Sequence, residues 1–136
     1  MSSNMPNLTI ATYNTDLQFT HSIYLYEILS FCTQQKIQIL LLQETGKRQP
    51  TLPNQYKHKW QYIANPPTHR GHSPNHTTGI LLHKSLSNLV SDVVFHDSGR
   101  YTSIVLNLRT NRRSESRLYI YQLLPKRNLF ITNKSN

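Results

Sequence analysis

Acidic residues are scarce in this chain of 136 residues: six Asp and Glu stand against fifteen Lys and Arg, a net charge of +9 with histidines neutral. Such a surplus favours polyanionic partners, because each Lys or Arg near a phosphate releases condensed counterions. The basic residues are dispersed, with Lys47, Arg70, Arg100 and Arg127 far apart, so the same surplus also fits a merely solvated surface. Cysteine is nearly absent. Cys32 stands alone, which excludes a disulfide framework within the chain and suits a reducing compartment. No apolar run approaches the ~20 residues that span a bilayer, and Met1 to Asn7 is polar and uncharged, without a signal-peptide core. These absences predict an intracellular protein, a nuclear location included, that is not secreted. The tripeptides beginning at Asn7, Asn75 and Asn133 match a glycosylation pattern that has no meaning there. No phosphate-cradling glycine loop and no Ser-His-Asp order is present.

What the chain does have is a readable opening. Leu8 to Tyr13 alternates apolar and small polar residues, as a strand does. Leu25, Ile28, Leu29 and Cys32 then recur at helical spacing, predicting an amphipathic helix from Thr20 to Lys36 with Thr20 as its N-cap. Ile37 to Gln43 is a continuous apolar run, the mark of a strand buried on both faces. Strand, helix, strand is a βαβ unit whose two strands run parallel. Further strands are expected at Trp60 to Ala64, Thr78 to Lys84, Val90 to Phe95, Tyr101 to Leu108 and Leu118 to Leu124. Polar loops lie at 47–56 and 65–76, and Arg109 to Ser116 reads as a hairpin tip.

Parallel strands bring their C-terminal ends to one edge of the sheet, where open α/β folds place their sites. Asn14 ends the first strand and Glu44 the second. They are thirty residues apart in sequence, yet adjacent strands lie only ~5 Å apart. A carboxylate beside an amide is a hard oxygen pair suited to Mg²⁺. The same residue types also serve as a turn former and an exposed loop acid, and spacing alone does not separate these readings. Three histidines, His69, His72 and His76, lack a helical or hairpin frame and read as a solvated loop rather than a zinc site. Tyr24 and Tyr26 read as packing residues, and Cys32 as an inert core residue.

The order Ile10-Ala11-Thr12-Tyr13-Asn14, a helix, then Leu40-Leu41-Leu42-Gln43-Glu44-Thr45 resembles the opening of the endonuclease/exonuclease/phosphatase superfamily. The nearest likeness is to the endonuclease domain of non-LTR (LINE-type) retrotransposons. Thr78-Gly79-Ile80-Leu81-Leu82 is similar to its glycine-led strand, and Ser98-Gly99-Arg100-Tyr101 to its Gly-Arg-Tyr strand opening. The likeness runs from about Leu8 to Pro125. It implies that Glu44 binds Mg²⁺, that Asn14 lies near metal and phosphate, and that Gln43 helps orient the edge. It implies DNA as a partner and phosphodiester cleavage as the ancestral reaction.

Departures from that pattern shape the expectation. Where the family usually shows Tyr two residues before a Pro, this chain has Leu123, with Tyr121 on the same strand face. No Asp or Glu follows Glu115 and no His follows His96, so the family's downstream acids and its C-terminal Asp–His pair are missing. The expected organisation is a disordered stretch over 1–7, the N-terminal part of an α/β sandwich domain over 8–125, and a tail over 126–136. That part is expected to supply chiefly one sheet, leaving a face open to self-association. Two functions follow: a truncated, catalytically incomplete Mg²⁺-dependent endonuclease, or a non-catalytic retroelement remnant binding nucleic acid weakly through its basic surface.

Overall fold

A computed structural model describes residues 8–16, 21–46, 50–64, 77–95, 101–109, 115–123 and 131–134. Among these residues there are eight strands, arranged in two sheets, and one α-helix. Strand β1 (Ile10–Asn14) runs parallel to β2 (Ile39–Gln43), and helix α1 (Ser22–Gln34) connects them. β3 (Trp60–Ala64) and β4 (Thr78–His83) complete sheet 1 in the order β1-β2-β4-β3, with β4 antiparallel to both neighbours. Sheet 2 is β5 (Val90–Phe95), β6 (Tyr101–Arg109), β7 (Glu115–Leu123) and β8 (Ile131–Lys134), antiparallel throughout. The expected βαβ start followed by mostly antiparallel strands is therefore present.

Alternation along β2 explains the layering. Leu40 and Leu42 pack with Leu25, Ile28, Leu29 and Cys32 of α1, while Ile39 and Leu41 pack with Ile104, Leu106, Leu118 and Ile120 of sheet 2. All four residues from Ile39 to Leu42 are buried because one face meets a helix and the other a sheet. Each such side chain contributes roughly 1.5–3 kcal/mol. Sheet 1 is the middle of three layers. This corrects the expectation of chiefly one sheet: the face reserved for a partner sheet is covered by β6 and β7 of the same chain.

Three boundaries also differ. Helix α1 begins after His21, which makes no side-chain capping bond, so Thr20, itself outside the described residues, is not the N-cap. Lys84–Leu89 forms a 3₁₀ turn that no apolar period announces, capped by the His83 ring accepting from the Ser85 amide. Ile131–Lys134 pairs with β7 as a strand where a frayed tail was expected. The segment 1–7, the three histidines of 69–76, and residues 110–114 of the expected hairpin tip lie outside the described residues, while its ends, Arg109, Glu115 and Ser116, belong to β6 and β7. No helix among the described residues is long and apolar enough to cross a membrane.

Candidate functional site

β1 and β2 end side by side, with Asn14 in register with Gln43. The next residue, Glu44, turns into left-handed backbone at φ 53°, and Gly46 follows at φ 82°. Glycine takes that conformation freely, but a glutamate does so at a cost of roughly 1–2 kcal/mol. Strain of this kind persists where neighbours over-determine it. Here Thr15 does so: its hydroxyl donates to the carbonyls of Gln43, at 3.0 Å, and Glu44, at 2.7 Å, and its amide donates to Gln43 at 3.0 Å. From the other side, the Gly46 amide donates to the Thr77 hydroxyl at 2.7 Å and the Thr45 amide to the Thr77 carbonyl at 3.4 Å.

That turn carries the Glu44 carboxylate to Asn14, whose side-chain Nδ2 donates to Glu44 Oε2. Asn14 Oδ1 accepts from the Asp16 amide at 2.8 Å, which fixes the orientation of the side-chain amide. Asn14 is exposed and Glu44 half-buried, so a ligand reaches the pair from solvent. The two residues singled out from the sequence are thus brought together across thirty residues of chain. Gln43 is half-buried beside them. Tyr121 is in register with Ser103 on the face of sheet 2 turned away from sheet 1, its ring 6.3 Å from that of Tyr101.

Sequence reasoning missed the hydroxyl cluster beneath this turn. Among the described residues Thr15, Thr45, Thr77, Thr78 and Thr102 are buried polar side chains at this edge, while buried Ser103 is in register with Tyr121 on the other face of sheet 2. Thr78 and Thr102 share a hydrogen bond of 3.0 Å that ties sheet 1 to sheet 2. Tyr62 reaches the cluster from β3. Burial pushes its phenol up to about 12, and a side-chain hydrogen bond with Thr45 opposes that rise. Its ring lies across Gly79, where an added Cβ would sit 2.6 Å from Cζ. The signal available in the sequence was the run of threonines directly after Asn14, after Glu44 and before Gly79.

Glu44 is one carboxylate with a second oxygen to offer. Mg²⁺ commonly takes one or two carboxylates and completes its shell with water and substrate phosphate, so the donor set fits that ion. No group of three or more His, Cys, Asp or Glu able to hold a metal occurs among the described residues. Cys32 is fully buried and its thiol is pushed up to about 11 by burial, as an inert core residue requires. No protein-family model, curated protein or solved structure matches the chain.

Proposed function

We propose that the chain carries the metal- and phosphate-facing opening of a divalent-cation-dependent phosphodiesterase of the endonuclease/exonuclease/phosphatase type, acting ancestrally on DNA. The observation that carries this reading is the Asn14–Glu44 pair at the ends of two parallel strands, held on strained backbone. The helix–sheet–sheet layering supports the same α/β sandwich reading. Glu44 would hold the ion through its carboxylate, with Asn14 orienting it and lying beside the bound phosphate. When bound, such an ion polarises a phosphodiester and stabilises charge on the leaving oxygen. The residues present orient and bind. A general base to activate water is still required, and no Asp or Glu after Glu115 and no His after His96 is there to supply it within these 136 residues.

Two measurements test this. Calorimetric titration with Mn²⁺ or Mg²⁺ should show one site that Glu44→Gln removes; an unchanged isotherm in that variant rejects the assignment. Plasmid nicking with Mg²⁺ that disappears in Glu44→Ala would show that the chain also supplies its own base.

The alternative, a non-catalytic domain that binds nucleic acid through its basic surface, has its own supporting observation. That observation is the surplus of fifteen Lys and Arg over six Asp and Glu, a net charge of +9 with histidines neutral. This reading expects sequence-independent binding whose affinity falls steeply with salt. Salt-insensitive binding would remove it.

A further inference from the structure

β1 is an edge strand of sheet 1, with β2 its only described neighbour. The Thr9 carbonyl and the Thr15 amide bond toward the β2 side, so the period of two turns the amides and carbonyls of Ile10, Thr12 and Asn14 outward. Proteins usually guard such an edge with proline, lysine or a bulge. β1 has none of these.

A groove of about 410 Å³ runs between this edge and α1, walled by Tyr13, Tyr24, Ile28 and Phe31. That volume lies within the ~300–1,000 Å³ typical of ligand sites. Phe31 is 56 % exposed, and Ile23, two turns earlier, is 74 % exposed, so large apolar groups are left without cover on this side. Among the described residues the one charged group in the lining is Glu27, whose carboxylate is exposed and has no ion-pair partner there. Asp16 lies close enough to bear on the Tyr24 phenol. An acidic groove on a chain of net charge +9 marks this flank as different from the rest of the surface.

We propose that this edge and groove receive an extended peptide strand by β-strand addition. The strand pairs with the backbone of Ile10, Thr12 and Asn14, and alternate apolar side chains pack against Tyr13, Ile28 and Phe31. A Lys or Arg meets Glu27. Main-chain pairing supplies affinity in this mode of recognition, and the groove supplies specificity. A second copy of β1 fits less well, because Ile-Ala-Thr-Tyr-Asn carries no basic residue to answer Glu27. Nucleic acid is disfavoured by the two carboxylates.

Selection of random displayed decapeptides on the full chain should enrich alternating apolar sequences with Lys or Arg at one register position. Fluorescence anisotropy with an enriched peptide should then show at least tenfold weaker binding to Glu27→Lys, restored when the basic residue of the peptide becomes Glu. Thr12→Pro removes only an outward N–H, at an edge position that tolerates proline, and should abolish binding while far-UV circular dichroism stays native. Absence of enrichment, or enriched peptides indifferent to Glu27→Lys, overturns the proposal. A dimer broken by Thr12→Pro in sedimentation assigns the edge to a second copy and overturns it equally. If Thr12→Pro fails to fold, the surface substitution Glu27→Lys decides alone.

Discussion

At one end of sheet 1, Glu44 and Gly46 hold left-handed backbone, and Thr15 and Thr77 tie them down with hydroxyl and carbonyl bonds. At the other end, Trp60 packs edge-on against His83 with ring centroids 5.1 Å apart, and the 3₁₀ turn that follows takes its cap from the same imidazole. The far end is anchored by aromatic burial, and its one left-handed side chain among the described residues, Lys36 at φ 56°, sits where α1 turns toward β2. The site end is polar and strained. The difference teaches where stability is made and where it is given up: aromatic burial anchors the sheet, and the hydroxyl cluster holds a glutamate in a conformation that the backbone alone disfavours.

Substitutions at the far end should cost most. Trp60→Ala removes a side chain that is 2 % exposed and touches the helix layer, and should lower unfolding free energy in urea by about 3–5 kcal/mol. Its effect on the site should be indirect, so any folded fraction should keep the divalent-ion binding proposed for Glu44. A loss below about 1 kcal/mol would mean that this end does not anchor the sheet.

At the site end, Gly79→Ala drives a methyl into the Tyr62 ring. Overpacking of that kind costs about 1–3 kcal/mol. The double variant Gly79→Ala, Tyr62→Leu should recover part of it, because the two changes share one contact. Additive losses would show that Tyr62 does not occupy the space glycine leaves.

The comparison sharpens at Glu44. Glu44→Gly relieves left-handed strain but adds unfolded-chain freedom and loses the bond from Asn14. Removing the Cβ penalty of roughly 1–2 kcal/mol, less about 0.5–1 kcal/mol for glycine entropy, leaves about 0–1.5 kcal/mol, and the exposed bond lost from Asn14 reduces it, so the expected gain is below about 1 kcal/mol. A variant that is more stable and unable to bind divalent ion is the signature of strain kept for function. Destabilisation by that substitution would mean that the turn is held for packing alone.

How much of this was legible in the sequence depends on how local each signal is. The β1–α1–β2 unit was readable because the period of α1 and the Ile39–Leu42 run each lie within a dozen residues. Register then followed far enough to bring Asn14 and Glu44 together. The second sheet was harder: alternation at Ile104, Leu106 and Leu108 announces a buried face but not what covers it, and that partner comes from β2 and β4 far along the chain. β8 escaped notice because Ile131-Thr132-Asn133-Lys134 is short and polar, as an edge strand is allowed to be. The turn at Glu44 was invisible for a different reason. Glutamate is not a residue that advertises positive φ, and the threonines that enforce it, Thr15 and Thr77, act from two separate segments. Gly79 was read as the start of a strand, whereas its place beneath the Tyr62 ring is a tertiary fact.

The smallest effect separates the two ends by pH. Burial, and then the positive charge of Lys59, holds the His83 imidazole below its usual 6.5. Its Nδ1 also accepts from the Ser85 amide at 3.2 Å, a bond that only the unprotonated nitrogen can accept. A histidine whose folded value is depressed stabilises the fold fully above the unfolded value. That contribution is lost as pH falls from about 6.5 through the lower folded value. The urea midpoint should therefore drop on going from pH 7.5 to pH 5, and His83→Asn, which keeps a capping acceptor without titrating, should flatten part of that drop. Because His83 and Glu44 lie at opposite ends of sheet 1, the His83→Asn background should leave the gain from Glu44→Gly at pH 7.5 unchanged; a gain that shifts in that background would show the two ends to be coupled.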